Sequence, residues 1–350
     1  MRVALQSSPH NRTDLLRNAG FDVIEKDCFS ENDFIELFDG VDGAQVNTVP
    51  QVSEKVIRSA SKLKVISRMG VGVDSIDLDA ATRNGVAVCN VPGVNTIEVA
   101  EHAVAMLLSL TRTLNDSFRA CKKGGWAQER LSLVARTRRI SAQTVGIIGF
   151  GNIGRAFAHR IGGFCPSNII ACDPNVRQST ADLYGVELVS LEQVLQRSNY
   201  VSVHCSANSS THKLINKKTL SLMREDAFLV NTSRGDVVDG EALAEALRTG
   251  GIGGAALDVT QVEPPDRSDS LLSLSNCYIS PHIAGYSPQF LRDCPIMQAE
   301  NIIRVLSGKG NPHGIANPEV LKTIAVMQRD SNSKWSGIRN IPATGLKVSF

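Results

Sequence analysis

The chain has no Cys-x-x-Cys spacing, and its eight cysteines are scattered along 350 residues, so neither a tight disulfide framework nor a structural zinc site is expected. Free thiols in a reducing compartment fit that scatter. A charge excess is also missing: 37 Lys plus Arg against 35 Asp plus Glu leave +2, without the basic surplus that nucleic acid or anionic membranes select. No nucleic-acid partner is expected. Long apolar runs are absent as well, none approaching the roughly 20 residues of a membrane span. The opening MRVALQSSPH turns polar after five residues, too soon for a secretory apolar core. The expected setting is cytoplasmic, with no membrane partner and no metal.

What is present is an alternation of short β-rich runs with helical stretches. RVALQ, FDVIE, AQVNT, KVISR and VAVCNV precede a long apolar-periodic segment, Asn95 to Arg112; TVGIIG, NIIACD, VELV, YVSVH, AFLVNT, GAALDV and CYIS follow it. Strands alternating with helices predict parallel βαβ units, so the fold class is α/β with two doubly wound, Rossmann-like parallel-sheet domains. The helical stretch after Ser287 belongs to neither strand series and is expected to pack back on the first domain. The expected domains are therefore 1–96 with 287–321, and 97–286. From 322 to 350 the sequence is polar and irregular and reads as a flexible tail, with Trp335 a candidate anchor. Basic residues between Arg119 and Arg139 read as a solvated face.

The stretch TVGIIGFGNIGRAF carries Gly149-x-Gly151-x-x-Gly154 between an apolar strand and a helix-forming run. Gly149 suits the tight turn, Gly151 the approach of backbone to a pyrophosphate, and Gly154 close helix packing, with the helix N-terminus facing phosphate. Asp173 ends the next strand, where a carboxylate accepts from both ribose hydroxyls and repels a 2′-phosphate. The expected cofactor is NAD, although Arg177 leaves NADP open.

Ligands of open α/β sheets lie beyond the carboxyl ends of the strands. There the sequence places Arg234, Asp258 followed by Glu263, and His282. Hydride transfer to a 2-keto acid needs a proton donor for the alkoxide, a cation for the carboxylate, and an acid that supports the donor. His282, Arg234 and Glu263 supply those three. Taken singly, each has a plain alternative: a loop ion pair for Arg234, a surface carboxylate for Glu263, a satisfied turn histidine for His282.

At these residues the chain resembles the D-isomer-specific 2-hydroxyacid dehydrogenases, in their phosphoglycerate dehydrogenase-like branch, over about residues 40–320. SRMGVGVDSIDLDAATRNGVAVCNVPGVNTIEVAEHAVAMLL, GIIGFGNIGRAF, VNTSRGDVVDGEAL and SPHIAG carry the likeness. The resemblance implies a flavodoxin-like substrate domain beside an NAD-binding domain. It implies that Arg234 binds the substrate carboxylate and keto oxygen, that His282 is the acid/base with Glu263 as partner, and that Asp258 lies near the nicotinamide amide. It further implies substrate contacts at Val71, Gly72 and Asn95, and NAD contacts at Asn152, Ile153, Asp173, Cys205 and Thr232. Cys205 also reads as a small strand-end hydrophobe, Val71 as packing and Asn95 as a helix cap.

The implied partner is a small 2-hydroxy or 2-keto acid, and the implied assembly is a homodimer. Asn47 and Gln51 stand where phosphoglycerate dehydrogenases carry charges, which speaks against a phosphorylated substrate, and Glu263 stands where formate dehydrogenases carry glutamine. The length is expected to leave no room for a regulatory domain. Two other readings stay open: an NAD(H)-sensing interaction protein similar to the C-terminal-binding corepressors, and a dehydrogenase of phosphorylated hydroxy acids.

Overall fold

β-branched and small apolar residues dominate the segments that become strands in the computed structural model, which describes residues 1–338. The first series is β1 (Arg2–Gln6), β2 (Asp22–Lys26), β3 (Gly43–Val46), β4 (Val65–Arg68) and β5 (Ala87–Asn90). The second is β6 (Thr144–Ile148), β7 (Asn168–Cys172), β8 (Glu187–Leu188), β9 (Tyr200–Val203), β10 (Phe228–Asn231), β11 (Gly254–Leu257) and β12 (Cys277–Ile279), and a two-residue β13 (Gly314–Ile315) comes last. β3, β4, β9, β10 and β11 are buried at every position, as interior parallel strands covered on both faces must be.

The described chain divides into two compact units, residues 1–95 with 287–338, and residues 96–286. The first unit's sheet has the order β13-β5-β4-β3-β1-β2, all parallel except β13 against β5. Without β13 this is the 2-1-3-4-5 order of flavodoxin-like sheets, reversing direction between β1 and β3. The second unit's sheet runs β12-β11-β10-β9-β6-β7-β8, parallel throughout, and reverses between β6 and β9. The α/β class and the two doubly wound sheets read from the sequence are borne out.

Helix boundaries follow from local chemistry. Ser287 caps the helix Pro288–Ser307 by accepting from the Phe290 amide, Pro288 opens it, and Gly308 ends it in the left-handed conformation. That helix lies over β3 and β4 and buries Ala299, Ile302, Val305 and Leu306 among residues of the first sheet. Three buried amides pin it and the chain beyond. Gln298 donates to the carbonyls of Val46 and Ser67, Asn301 to Asn90, and Asn317 to Val86 while accepting from Val88.

Two findings differ from the sequence reading. Residues 322–338, read as part of a flexible tail, are folded against the first unit: the helix Val320–Met327 buries Ile324, and Trp335 is 0% exposed with its Nε1 donating to the Gly85 carbonyl at 2.8 Å. The indole supplies the apolar area that the surrounding polar residues lack, and its one polar atom is satisfied. The part of that reading covering 339–350 lies outside the described residues. The basic stretch also forms two unanticipated helices, Leu114–Lys122 and Trp126–Arg136, the second burying none of its residues. No helix among the described residues is long and apolar enough to cross a membrane.

Candidate active site

β6 delivers the chain to Gly149, whose φ of +90° suits glycine alone. A Cβ there would lie 2.5 Å from the Cys205 amide nitrogen, so the turn is pressed against the loop that follows β9. Gly151 is the N-cap of the helix Asn152–Gly162, and a Cβ on Gly154 would meet the Gly149 carbonyl oxygen at 2.2 Å. No acidic side chain occupies the first turn of this helix, so the amides of Asn152 and Ile153 stand at an unneutralised positive end.

Asp173, just past β7, accepts from the Phe150 amide at 2.8 Å and from the Asn175 amide at 2.9 Å. Each oxygen retains a lone pair for a further donor. Thr232, past β10, is buried with an Oγ1 that has no partner among the described residues. A glycine turn free of side chains, a helix start, a carboxylate and an orphaned hydroxyl fit a dinucleotide. Cys205 packs its side chain on the unit's apolar core, and burial pushes its thiol up to about 11, so it offers neutral surface rather than a thiolate. His204, unremarked in the sequence, points Nε2 at Ser202 Oγ, 2.9 Å away, and keeps Nδ1 buried beside Phe157. Burial pushes it down to about 3, so the ring is neutral.

Three loops meet on the other side of β9. The turn after β10 is tied by Asn231, which donates to the Arg234 carbonyl at 2.9 Å and accepts from the Ser233 amide at 3.0 Å. Arg234 Nη1 donates to the Ser233 carbonyl at 2.7 Å. A Cβ on Gly235 would fall 2.0 Å from the Thr260 carbonyl oxygen, so the arginine loop and the loop carrying Glu263 touch backbone to backbone.

Glu263 receives the Thr260 amide at 3.2 Å on Oε1 and His282 Nδ1 at 2.6 Å on Oε2. Burial works against its charged form, but the His282 bond and the positive fields of His282 and Arg234 outweigh it and hold the carboxyl below its ordinary range. Arg234, Glu263 and His282 are therefore within one electrostatic neighbourhood of the second unit. Asp258 is the buried member of that neighbourhood, accepting from the amides of Ile283 at 3.0 Å and Ala284 at 2.8 Å. Its carboxylate holds the loop on which His282 stands.

Val71, Gly72 and Asn95 lie in the first unit. Gly70, in the left-handed region at φ +90°, turns the chain out of β4; the Val71 carbonyl then accepts from Asn90 Nδ2 at 2.7 Å and its side chain is exposed. Asn95 keeps a buried Oδ1 without a partner among the described residues. Sequence reasoning missed His102 and Ser280, which lie behind Asp258; neither type carries a signal until its neighbours are known. No group of three metal-ligating side chains occurs among the described residues.

The sheet order, the glycine turn with its carboxylate and the adjacent His–Glu pair define a dinucleotide-binding α/β protein. The chain belongs to the D-isomer specific 2-hydroxyacid dehydrogenase family, whose NAD binding domain pattern matches residues 104–284. The cofactor is thus a nicotinamide dinucleotide. The chain is 35% identical over 295 residues to D-3-phosphoglycerate dehydrogenase of Archaeoglobus fulgidus, covering 84% of itself and 55% of that protein. It spans about half the length of the phosphoglycerate dehydrogenases it matches. It is 37% identical over 271 residues to glyoxylate reductase of Korarchaeum cryptofilum, covering 77% of itself and 81% of that protein. Among solved structures, the apo form of Rhodotorula graminis D-mandelate dehydrogenase superposes with a TM-score of 0.82 at 27% identity, over 90% of this chain and 97% of that one.

Proposed function

We propose that the protein is an NAD-dependent dehydrogenase interconverting a small 2-keto acid and its D-2-hydroxy acid, with His282 as acid/base, Glu263 as its partner and Arg234 binding the carboxylate and keto oxygen. The 2.6 Å contact between His282 Nδ1 and Glu263 Oε2 carries this reading. A carboxylate only accepts, so the hydrogen of that bond is on Nδ1, and Nε2 is left to give a proton to the alkoxide or take one from the alcohol. The bound dinucleotide supplies or receives the hydride. Arg234, with a planar fork, grips a carboxylate with two bonds and draws electron density from the carbonyl.

In this reading Gly149, Gly151, Asn152, Ile153 and Gly154 hold the pyrophosphate, and Asp173 takes the ribose hydroxyls, favouring NAD over NADP. Thr232, Cys205 and Asp258 lie toward the nicotinamide. The backbone amides around Val71 and Gly72 cradle the substrate carboxylate, and Asn95 faces the substrate. The D stereochemistry follows the family, and relatives named glyoxylate reductase and D-mandelate dehydrogenase support an unphosphorylated 2-keto acid. So does the stretch 47–51, NTVPQ, which carries no cation although several relatives are named D-3-phosphoglycerate dehydrogenase. The test is incubation with NADH and glyoxylate, hydroxypyruvate, pyruvate or branched keto acids. NADH oxidation with one of them is expected; oxidation with none removes the reading, and partner capture only with NADH would favour a sensing role.

A cytoplasmic homodimer completes the reading. All eight cysteines are free, and the helices Leu114–Lys122 and Trp126–Arg136 leave Trp126 73% and Leu131 80% exposed, an apolar face that a second copy would cover. Light scattering that gives a monomer mass at micromolar concentration would refute the dimer.

A further inference from the structure

At the end of β11, Asp258 is 1% exposed, and a carboxylate so buried must be met by donors. The donors come from either side of one residue. Ser280 Oγ donates to Oδ1 at 2.5 Å, Ile283 N–H to Oδ1 at 3.0 Å, and Ala284 N–H to Oδ2 at 2.8 Å, while the Asp258 carbonyl accepts the His282 amide at 2.9 Å. His282 is thereby held at φ +51°, a left-handed conformation that a side chain with a Cβ rarely adopts. Released, the backbone would relax and carry the ring away from Glu263.

Donor accounting extends the network by one residue. The single hydroxyl hydrogen of Ser280 goes to Asp258, which can only accept, so Ser280 Oγ faces His102 Nε2, 3.2 Å away, as an acceptor. That places a hydrogen on His102 Nε2, which also lies 3.6 Å from Asp258 Oδ1. His102 rides on the helix Thr96–Thr111, whose Ala103, Met106 and Leu107 are buried in the core of the same unit. We propose that Ser280 and His102 are positioning residues that transmit the rigidity of this helix through Asp258 to the backbone of His282. The proposal rests on the reading of His282 as the acid/base.

The test compares Ser280→Ala, Ser280→Thr and His102→Phe with the wild type by keto-acid kinetics, by NADH fluorescence binding, and by the low-field proton resonance of the His282–Glu263 bond, assigned by its absence from His282→Asn. Ser280→Ala is expected to lower kcat about 10–100-fold, as a displacement on the order of 1 Å does, with NADH affinity and KM within about twofold. The low-field resonance should vanish with it, and Ser280→Thr should restore both. His102→Phe should weaken the resonance and kcat in the same direction, and carries the test should Ser280→Ala not fold. Wild-type kcat and an unchanged resonance in Ser280→Ala would overturn the proposal, as would equal losses in the Ala and Thr variants. If the wild type reduces no keto acid, the acid/base reading fails by itself, and the resonance still decides the clamp.

Discussion

In the second unit the decisive contacts are made by missing side chains: Gly149, Gly154 and Gly235 each let one stretch of backbone lie where a Cβ would overlap another. In the first unit they are made by side chains reaching far along the chain, Gln298 to a carbonyl 252 residues away and Trp335 to one 250 residues away. The difference teaches where function and stability reside. Backbone pressed on backbone fixes the site loops with little room to adjust, whereas amides and an indole tie the late segments of the chain onto the first unit's sheet.

That contrast can be broken at four points. Trp335→Ala should cost about 3–5 kcal/mol, because it empties a fully buried site, and lower the melting temperature while NADH binding by the folded fraction persists. A melting curve matching the wild type would show that the first unit does not depend on its indole. Arg234→Lys should cut kcat/KM about 10²–10³-fold with NADH affinity kept, since a point charge cannot replace the fork. Steady-state kinetics with titrated NADH separates the two quantities.

Gly149→Ala should weaken NADH about 100-fold, because the methyl group meets the Cys205 backbone and the φ of +90° is strained; calorimetry reads it directly. The smallest effect concerns His204, whose folded value of about 3 lies below the roughly 6.5 of an unfolded histidine. Between those limits the unfolded chain binds the extra proton, so the stability His204 confers is complete above pH ~6.5 and declines on acidification by at most about 1.4 kcal/mol per pH unit. His204→Phe should flatten the pH dependence of urea unfolding in that window, and an unchanged slope would contradict it.

The same contrast explains what the sequence made legible. Gly149, Gly151, Gly154 and Asp173 stand out because the demands of a tight turn are local and few residue types meet them. Arg234, Glu263 and His282 stand out because strand ends are visible in the hydrophobic pattern. Gln298 and Asn301 carry no local signal of their role, since their carbonyl partners in β3, β4 and β5 arrive from the far end of the chain. The stretch after Lys322 misled because the apolar residues that hold it down, Ile324, Trp335 and Ile338, are few and scattered among many polar ones, yet all three are buried. The helix Trp126–Arg136 escaped notice because it buries none of its residues and its neighbouring cations made the stretch read as a solvated face. His102 and Ser280 acquire meaning only through Asp258.

Because the chain leaves the first unit at residue 95 and returns at 287, the second unit is an insertion within it. On the ribosome, every strand of the dinucleotide-binding sheet emerges before Gln298, Asn301, Asn317 or Trp335 exists. At about 5–20 residues per second, the five early strands wait tens of seconds for the helix that completes their core. Vectorial synthesis thus completes the contiguous unit first and leaves the earliest strands without their covering helix longest.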